Sequence, residues 1–384
     1  MKLYLSALIK VMILSLMVSN ISFANQQTEL KQYLLKAMQA YQVPVAGYAI
    51  IKNYQIVAAE TVSIDSSIPV TSASLFQAAS ISKSLSAYAA LTLVTSGRLK
   101  LDLPANSQLK SWKIPENKYV MKSPVTLREL LDMTSGLSVS GFPGHPQGMP
   151  LPNLNEVLNG TPPANTPPIR VFSQPGSTYF YSGGAFQVLE QLIEDTTKRP
   201  FQKWMNDTLL QPLHMNDSVF QYPLQSPFLS KAVPGFLSNG KKIKGGWNNY
   251  AIAASGGLWS TPTDLAKFAI NVSQAYQGKE QGLITKNVAI QMLTRQPNTD
   301  YGLGVVVNGE GDTLNFRKAG HNLGYHSQLL MFPHSGDGAV IMTNAEKGEY
   351  IINYMMPLMA QHYHWPCYFP YFDELVIFPK PACG

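Results

Sequence analysis

The amino-acid sequence predicts an α/β (α+β) fold, an antiparallel β-sheet flanked by helices and interrupted by an inserted, mostly helical domain. Three observations carry this expectation. Residues 45–60, VAGYAIIKNYQIVAAE, hold two β-rich runs on either side of Lys52 and Asn53, the pattern of an antiparallel hairpin. From residue 301 the chain returns to strand patterns, YGLGVVVNG, TLNFRKAG, YHSQLLMFP and GAVIMTN, punctuated by Gly, Asn and Asp turns. Between about 100 and 290, apolar stripes at helical spacing alternate with Pro-rich loops. A single sheet assembled from both ends of the chain accounts for all three, and a cleft between sheet and insert is a favoured place for a binding site.

The elements follow in order. Residues 1–24 have a basic start at Lys2, an apolar centre, and Ser22 and Ala24 at the small-residue positions of a cleavage site, so they read as a signal peptide cut after Ala24. Lys10 interrupts the apolar run, which falls short of the roughly 20 residues that span a bilayer, so no stable membrane span is expected after cleavage. This places the mature chain in the periplasm or outside the cell. Residues 28–42 read as an amphipathic helix, the hairpin follows, and SISKSLSAYAALTLVTSG is a buried helix with Gly97 as its stop signal. Residues 25–98 and 290–365 are assigned to the sheet domain and 99–289 to the insert. Within the insert, VTLRELLDMTSGL, QVLEQLIEDTTKRPFQKWMNDTLLQPL and STPTDLAKFAINVSQAYQG each carry an apolar stripe, the last beginning with Ser/Thr caps and Pro262. Eight prolines between residues 141 and 170 argue against any regular element there and leave a long loop, either a lid or an inert insertion. A last helix ends at Pro366, and residues 366–384 form a tail in which Cys367 and Cys383 either form a disulfide or remain thiols.

Composition excludes some functions. Charged residues are 14% and hydrophobic residues 45% of the 384, as in a folded globular protein and unlike a disordered chain. Cleavage would remove Lys2 and Lys10 and lower the formal net charge from +6 to +4, too weak and dispersed a charge to suggest nucleic acid.

The residues that can carry chemistry begin with FQAASISK. Ser80 and Lys83 are three apart at the start of an apolar helix and therefore share a face. A Lys desolvated by apolar surroundings loses basicity and can take a proton from a serine hydroxyl, while the helix start offers backbone N–H groups to a developing oxyanion. A Ser-x-x-Lys spacing by itself is common. Here, however, the chain resembles the serine β-lactamase and penicillin-binding protein superfamily, in the branch of class C β-lactamases, D-alanyl-D-alanine carboxypeptidases and related esterases. FQAASISK, VTLRELLDMTSGL, QPGSTYFYS, GLWSTPTDLAKF and GAVIMTN resemble that branch's segments in the branch's order, over about residues 28–365.

The resemblance implies a β-lactamase/transpeptidase-like fold and an exported serine hydrolase acting through an acyl-enzyme on amide, β-lactam or ester carbonyls. Its substrate would be a small molecule or a peptidoglycan peptide, with no metal or organic cofactor. Ser80 would be the nucleophile, and Lys83 and Tyr181 would move protons. Lys318 would attract a substrate carboxylate, Gly320 would let substrate approach the strand, and the N–H of His321 would join that of Ser80 in an oxyanion hole. Two positions depart from the branch. Gly183 replaces the asparagine of its Y-x-N motif, and Ala319 replaces the hydroxyl residue of K-T-G. These departures keep open an esterase without β-lactam turnover, or a penicillin-binding sensor or scaffold that acylates without turnover.

Rival constellations are weaker. No G-x-S-x-G elbow or phosphate loop occurs. His321 with His326, and His362 with His364, lack the spacing and the carboxylate company of a zinc site, so no metal is expected. The side chain of His321 reads either as a substrate contact at the cleft rim or as a satisfied surface imidazole. Glu194 and Asp195 read as solvated.

Overall fold

Residues 28–366 of the computed structural model are described. The expected leader and the pair Cys367 and Cys383 lie outside them. After helix α1 (28–41), β1 (Val45–Lys52) turns through Asn53 and Tyr54, both at positive φ, into β2 (Gln55–Ser63). Two successive left-handed residues make the turn whose twist suits a tight hairpin, and Asn tolerates that conformation well.

The chain continues through β3 (Phe76–Gln77), α2 (Ile81–Thr95), α3 (Ala105–Gln108), α4 (Lys118–Lys122), α5 (Leu127–Leu131), α6 (Leu154–Asn159), α7 (Gly183–Thr197), α8 (Phe201–Met205) and β4 (Val219–Phe220). It then forms α9 (Ala253–Gly256), β5 (Leu258–Ser260), α10 (Pro262–Gln277), α11 (Lys286–Met292), β6 (Val306–Asn308), β7 (Asn315–Asn322), β8 (Tyr325–Phe332), β9 (Asp337–Thr343) and α12 (Gly348–Tyr363).

Both ends of the chain build one six-stranded antiparallel sheet in the order β2-β1-β9-β8-β7-β6. Alternation along its strands feeds two cores. Tyr48, Ile50, Leu330 and Ile341 meet Leu34, Met38 and Met355 of α1 and α12 on one face. Ala49, Leu329, Val340 and Met342 join the larger cluster on the other face, where α2 and α10 lie. A second, three-stranded sheet runs β3-β5-β4.

Several elements differ from the sequence reading. Within 99–289, α10 packs against β1, β2, β8 and β9, and β4 and β5 are strands. The segment read as one helical stretch from Gln187 onward stops at Lys198, which is left-handed with φ 60°, before Pro200 opens α8. The loop of eight prolines does contain a helix. Residues 153–161 are free of proline, and α6 forms there with a reciprocal Asn153–Glu156 capping box and Gly160 at positive φ. Glu194 and Asp195 are not solvated spectators. Glu194 accepts the N–H of Phe201, and buried Asp195 accepts those of Lys110 and Ser111.

Helix α2 is buried along nearly its whole length, yet it carries three internal serines. Each hydroxyl has a carbonyl partner: Ser82 donates to Ala79 at 2.5 Å, Ser84 to Gly304 at 2.8 Å, and Ser86 to Ser82 and Ala254 at 2.8 and 2.9 Å. A buried hydroxyl that keeps its hydrogen bond avoids the desolvation penalty. These serines therefore tie α2 to the segments that complete the cleft.

Candidate active site

Ser80 stands between β3 and α2, at the N-cap of the helix, and its side chain makes no capping bond. Ala79 before it is held at φ 49°, a conformation that costs an alanine energy and turns the chain sharply into the helix. The hydroxyl is thereby placed between Lys83 on α2 and Tyr181 from a distant segment. Lys83 Nζ donates to Ser80 Oγ at 3.0 Å and to the carbonyl of Ser255 at 2.7 Å. Tyr181 donates its hydroxyl to Ser80 Oγ at 2.8 Å. Lys318 Nζ lies 3.4 Å from the Tyr181 oxygen and donates to the carbonyl of Ala319 at 3.0 Å. The structure thus brings Ser80, Lys83, Tyr181 and Lys318 together.

Both ammonium groups are buried, with 3% of Lys83 and 4% of Lys318 exposed, and neither pairs with a carboxylate among the described residues. Burial is the main cause that depresses the pKa of Lys83; Lys318 adds to it and Tyr181 opposes it. Burial alone would raise the Tyr181 phenol. The positive charges of Lys318 and Lys83, with the hydrogen bond to Ser80, outweigh that and bring it from 10.0 down to about 7. A hydroxyl held between a weakened ammonium and an acidified phenol can lose its proton to either side, which is the chemistry of an activated nucleophile.

Gly320 and His321 line the same cavity of about 1030 Å³ as Ser80, Lys83, Tyr181 and Lys318. The need for glycine at 320 comes from the protein itself. A Cβ there would stand 2.3 Å from the Ala78 carbonyl, 2.4 Å from Ser327 Oγ and 3.2 Å from Ser80 N, so β7 can run this close to the Ser80 turn only without a side chain. The imidazole of His321 turns away from Ser80. Its Nε2 is 3.2 Å from Glu346 Oε1, and its ring stacks on His326 with centroids 4.3 Å apart. The carboxylate company that the sequence reading did not find for these histidines is thus Glu346.

Gly183 also has a local cause. A Cβ there would meet Phe142 at 2.9 Å and the Ser140 carbonyl at 3.0 Å. Ser140 and Phe142 line the cavity, and the Gly183 N–H donates to Ser140 at 3.1 Å. The start of the Pro-rich loop fills the place of an asparagine side chain at this position.

Three contributors were not identified from sequence. Ser255 supplies the carbonyl that holds Lys83, and Gln187 donates to the Ser255 hydroxyl at 3.0 Å. The small-residue run AASGG before LWS was the available signal for Ser255. Nothing local marked Gln187 or Glu346, which reach the site only through the fold.

Residues 30–354 match the Beta-lactamase family model. Protein flp of Staphylococcus aureus (strain NCTC 8325 / PS 47) is 22% identical over 353 residues, covering 88% of this chain; the chain spans only 66% of the length of that relative. Esterase EstB of Burkholderia gladioli is 32% identical over 161 residues, 40% of each chain. The octameric penicillin-binding protein homologue from Pyrococcus abyssi shares the fold, with a TM-score of 0.71 at 22% identity over 88% of this chain and 77% of that one. The matched span takes in Ser80, Lys83, Tyr181 and Lys318, and with it the chain belongs to the Beta-lactamase family.

Proposed function

We propose that the chain is an exported hydrolase of the class C-related branch that transfers acyl groups through Ser80. One observation carries the reading: Ser80 Oγ lies within hydrogen-bond distance of both Lys83 and Tyr181, with Lys318 behind the phenol. Ser80 Oγ attacks the substrate carbonyl carbon and its proton passes to the Tyr181 oxygen or Lys83 Nζ. The carbonyl oxygen takes the negative charge and is held by the N–H groups of Ser80 and His321. Collapse breaks the bond to the leaving nitrogen or oxygen, which receives the proton, and leaves an ester on Ser80. Water then repeats the sequence in reverse and frees the acid. A fluorescent penicillin or a fluorophosphonate should label the wild-type chain and spare Ser80→Ala; equal labelling of both would remove Ser80 from the mechanism.

Amides that carry a carboxylate, β-lactams and D-Ala peptides among them, fit the buried cation at Lys318. One observation favours esters instead. With Phe142 in the place of the asparagine side chain and Ala319 without a hydroxyl, two groups that would orient an amide substrate are missing, and the partial relative EstB is an esterase. Steady-state hydrolysis of nitrocefin, a D-Ala-D-Ala peptide and a short-chain p-nitrophenyl ester, measured side by side, separates the readings. Turnover of the peptide or nitrocefin above the ester supports the first. Ester turnover alone supports the second, and an acylation burst with no steady turnover points to a sensor.

A further inference from the structure

We infer that His321, His326 and Glu346 form a binding site for a single divalent cation of zinc type at the rim of the cleft. The fold assembles the site from three segments. His321 on β7 and His326 on β8 are directly opposite in the antiparallel register, which places two imidazoles side by side. Glu346, just after β9, adds a carboxylate. One donor atom from each of the three lies within 4.8 Å of the other two.

The chemistry and dimensions suit the ion. Two imidazole nitrogens and a carboxylate oxygen are a ligand set that zinc accepts, with an open position left for water or substrate. For bonds of about 2.0–2.1 Å, the edge of a tetrahedron around zinc is about 3.3 Å. His321 Nε2 and Glu346 Oε1 are already 3.2 Å apart. The widest gap must close by about 1.5 Å. The His321 side chain, 56% exposed, has room to turn.

The surroundings also hold the ligands as a metal site requires. The backbone N–H of Gly324 donates to Glu346 Oε1 at 2.5 Å and fixes the carboxylate from behind. Such outer bonds orient ligands and raise metal affinity. The ion would take the place of the direct contact that His321 Nε2 now makes with Glu346 Oε1. It would also sit on the residue whose backbone N–H is assigned above to the oxyanion hole, although the binding itself does not depend on that assignment.

The test is a titration of the tag-free, metal-stripped full chain with Zn²⁺ alone, competed against a chromophoric chelator at neutral pH. One equivalent should bind, and His326→Ala and Glu346→Gln should each weaken it at least about tenfold, whereas His334→Ala, remote from the cluster, should not. Failure to bind one equivalent, or equal affinity in all the variants, would overturn the site. If a variant does not fold, the wild type decides by diffraction at the zinc edge. An ion bonded to these three residues confirms the proposal, and an ion bound only elsewhere refutes it.

Discussion

Replacing Lys318 by Met keeps the volume of the side chain and removes one charge. The Lys318 nitrogen is 3.4 Å from the Tyr181 oxygen. At an effective dielectric of 20, two unit charges that far apart interact by about 5 kcal/mol, equivalent to more than about three pH units. Water entering the space left by the ammonium screens part of this, so a rise of at least about two units in the Tyr181 pKa, from about 7, is expected. The sign follows from the charge: without the nearby cation the phenolate is less favoured and forms only at higher pH. If the phenolate takes the proton of Ser80, kcat/KM for a neutral p-nitrophenyl ester, measured from about pH 5 to about pH 10, should show its acidic limb near 7 in the wild type and near 9 or above in Lys318→Met. On the plateau the two enzymes should converge. A substrate that carries a carboxylate should remain impaired at every pH, because its own counter-charge is gone. An acidic limb that stays in place while the plateau falls would refute the reasoning, because the titrating group could not then be a phenol governed by Lys318.

Three further outcomes follow from the geometry. Ser82→Ala removes a hydroxyl that donates to Ala79 and accepts from the Leu258 N–H; denaturant melts should show a loss of about 1–3 kcal/mol, while the fluorophosphonate still labels the chain, and lost labelling in a folded variant would make Ser82 the nucleophile. Gly183→Asn drives a side chain into Phe142 and the Ser140 carbonyl; it should cost about 1–3 kcal/mol and should not raise nitrocefin turnover, and a stable, faster variant would show that the loop yields. Glu190 is buried, and desolvation pushes its pKa from 4.5 up to about 8 despite the hydrogen bond from Ala254. A raised carboxyl favours the folded state fully below its unfolded pKa, and that contribution fades as pH rises toward 8. Glu190→Gln should therefore flatten a decline of up to about 5 kcal/mol between about pH 4.5 and 8, and unfolding curves with the same slope in both proteins would contradict the burial argument.

What could be read in the sequence was whatever is encoded locally or carried in a familiar order. The hairpin at Asn53, the capped start of α10 and the pairing of Ser80 with Lys83 depend on residues a few positions apart, where periodicity and turn chemistry act directly. Tyr181 and Lys318 could be named only through resemblance, since nothing within their own segments distinguishes them from other tyrosines and lysines. The remaining features lie in contacts across the fold. The Ser255 carbonyl holds Lys83 from 172 positions away, and Glu346 meets His321 from 25. Proline count misled for residues 141–170 because it was taken over the whole loop, whereas one helical turn needs only a short proline-free gap and good caps. At Gly183 the sequence showed an absent asparagine but could not show that Phe142 occupies its place.

The charge arrangement explains why the fold tolerates two buried lysines without a carboxylate. Lys83 and Lys318 both face the ring and oxygen of Tyr181, each 5.1 Å from the ring centroid. Ionising the phenol relieves both of them, which is why it titrates so low despite burial. In the proposed mechanism the phenolate then accepts the Ser80 proton as the oxyanion forms. Negative charge is moved across the site and not created within it, and the same two lysines face it before and after. A carboxylate beside either lysine would neutralise that field in the resting state and would have to be overcome at every attack. Anchoring the lysines on backbone carbonyls, those of Ser255 and Ala319, and not on a carboxylate holds them in position and leaves their charge available. The strained Ala79 and the side-chain-free Gly320 serve the same end, since they bring the Ser80 hydroxyl and the edge of β7 into that field.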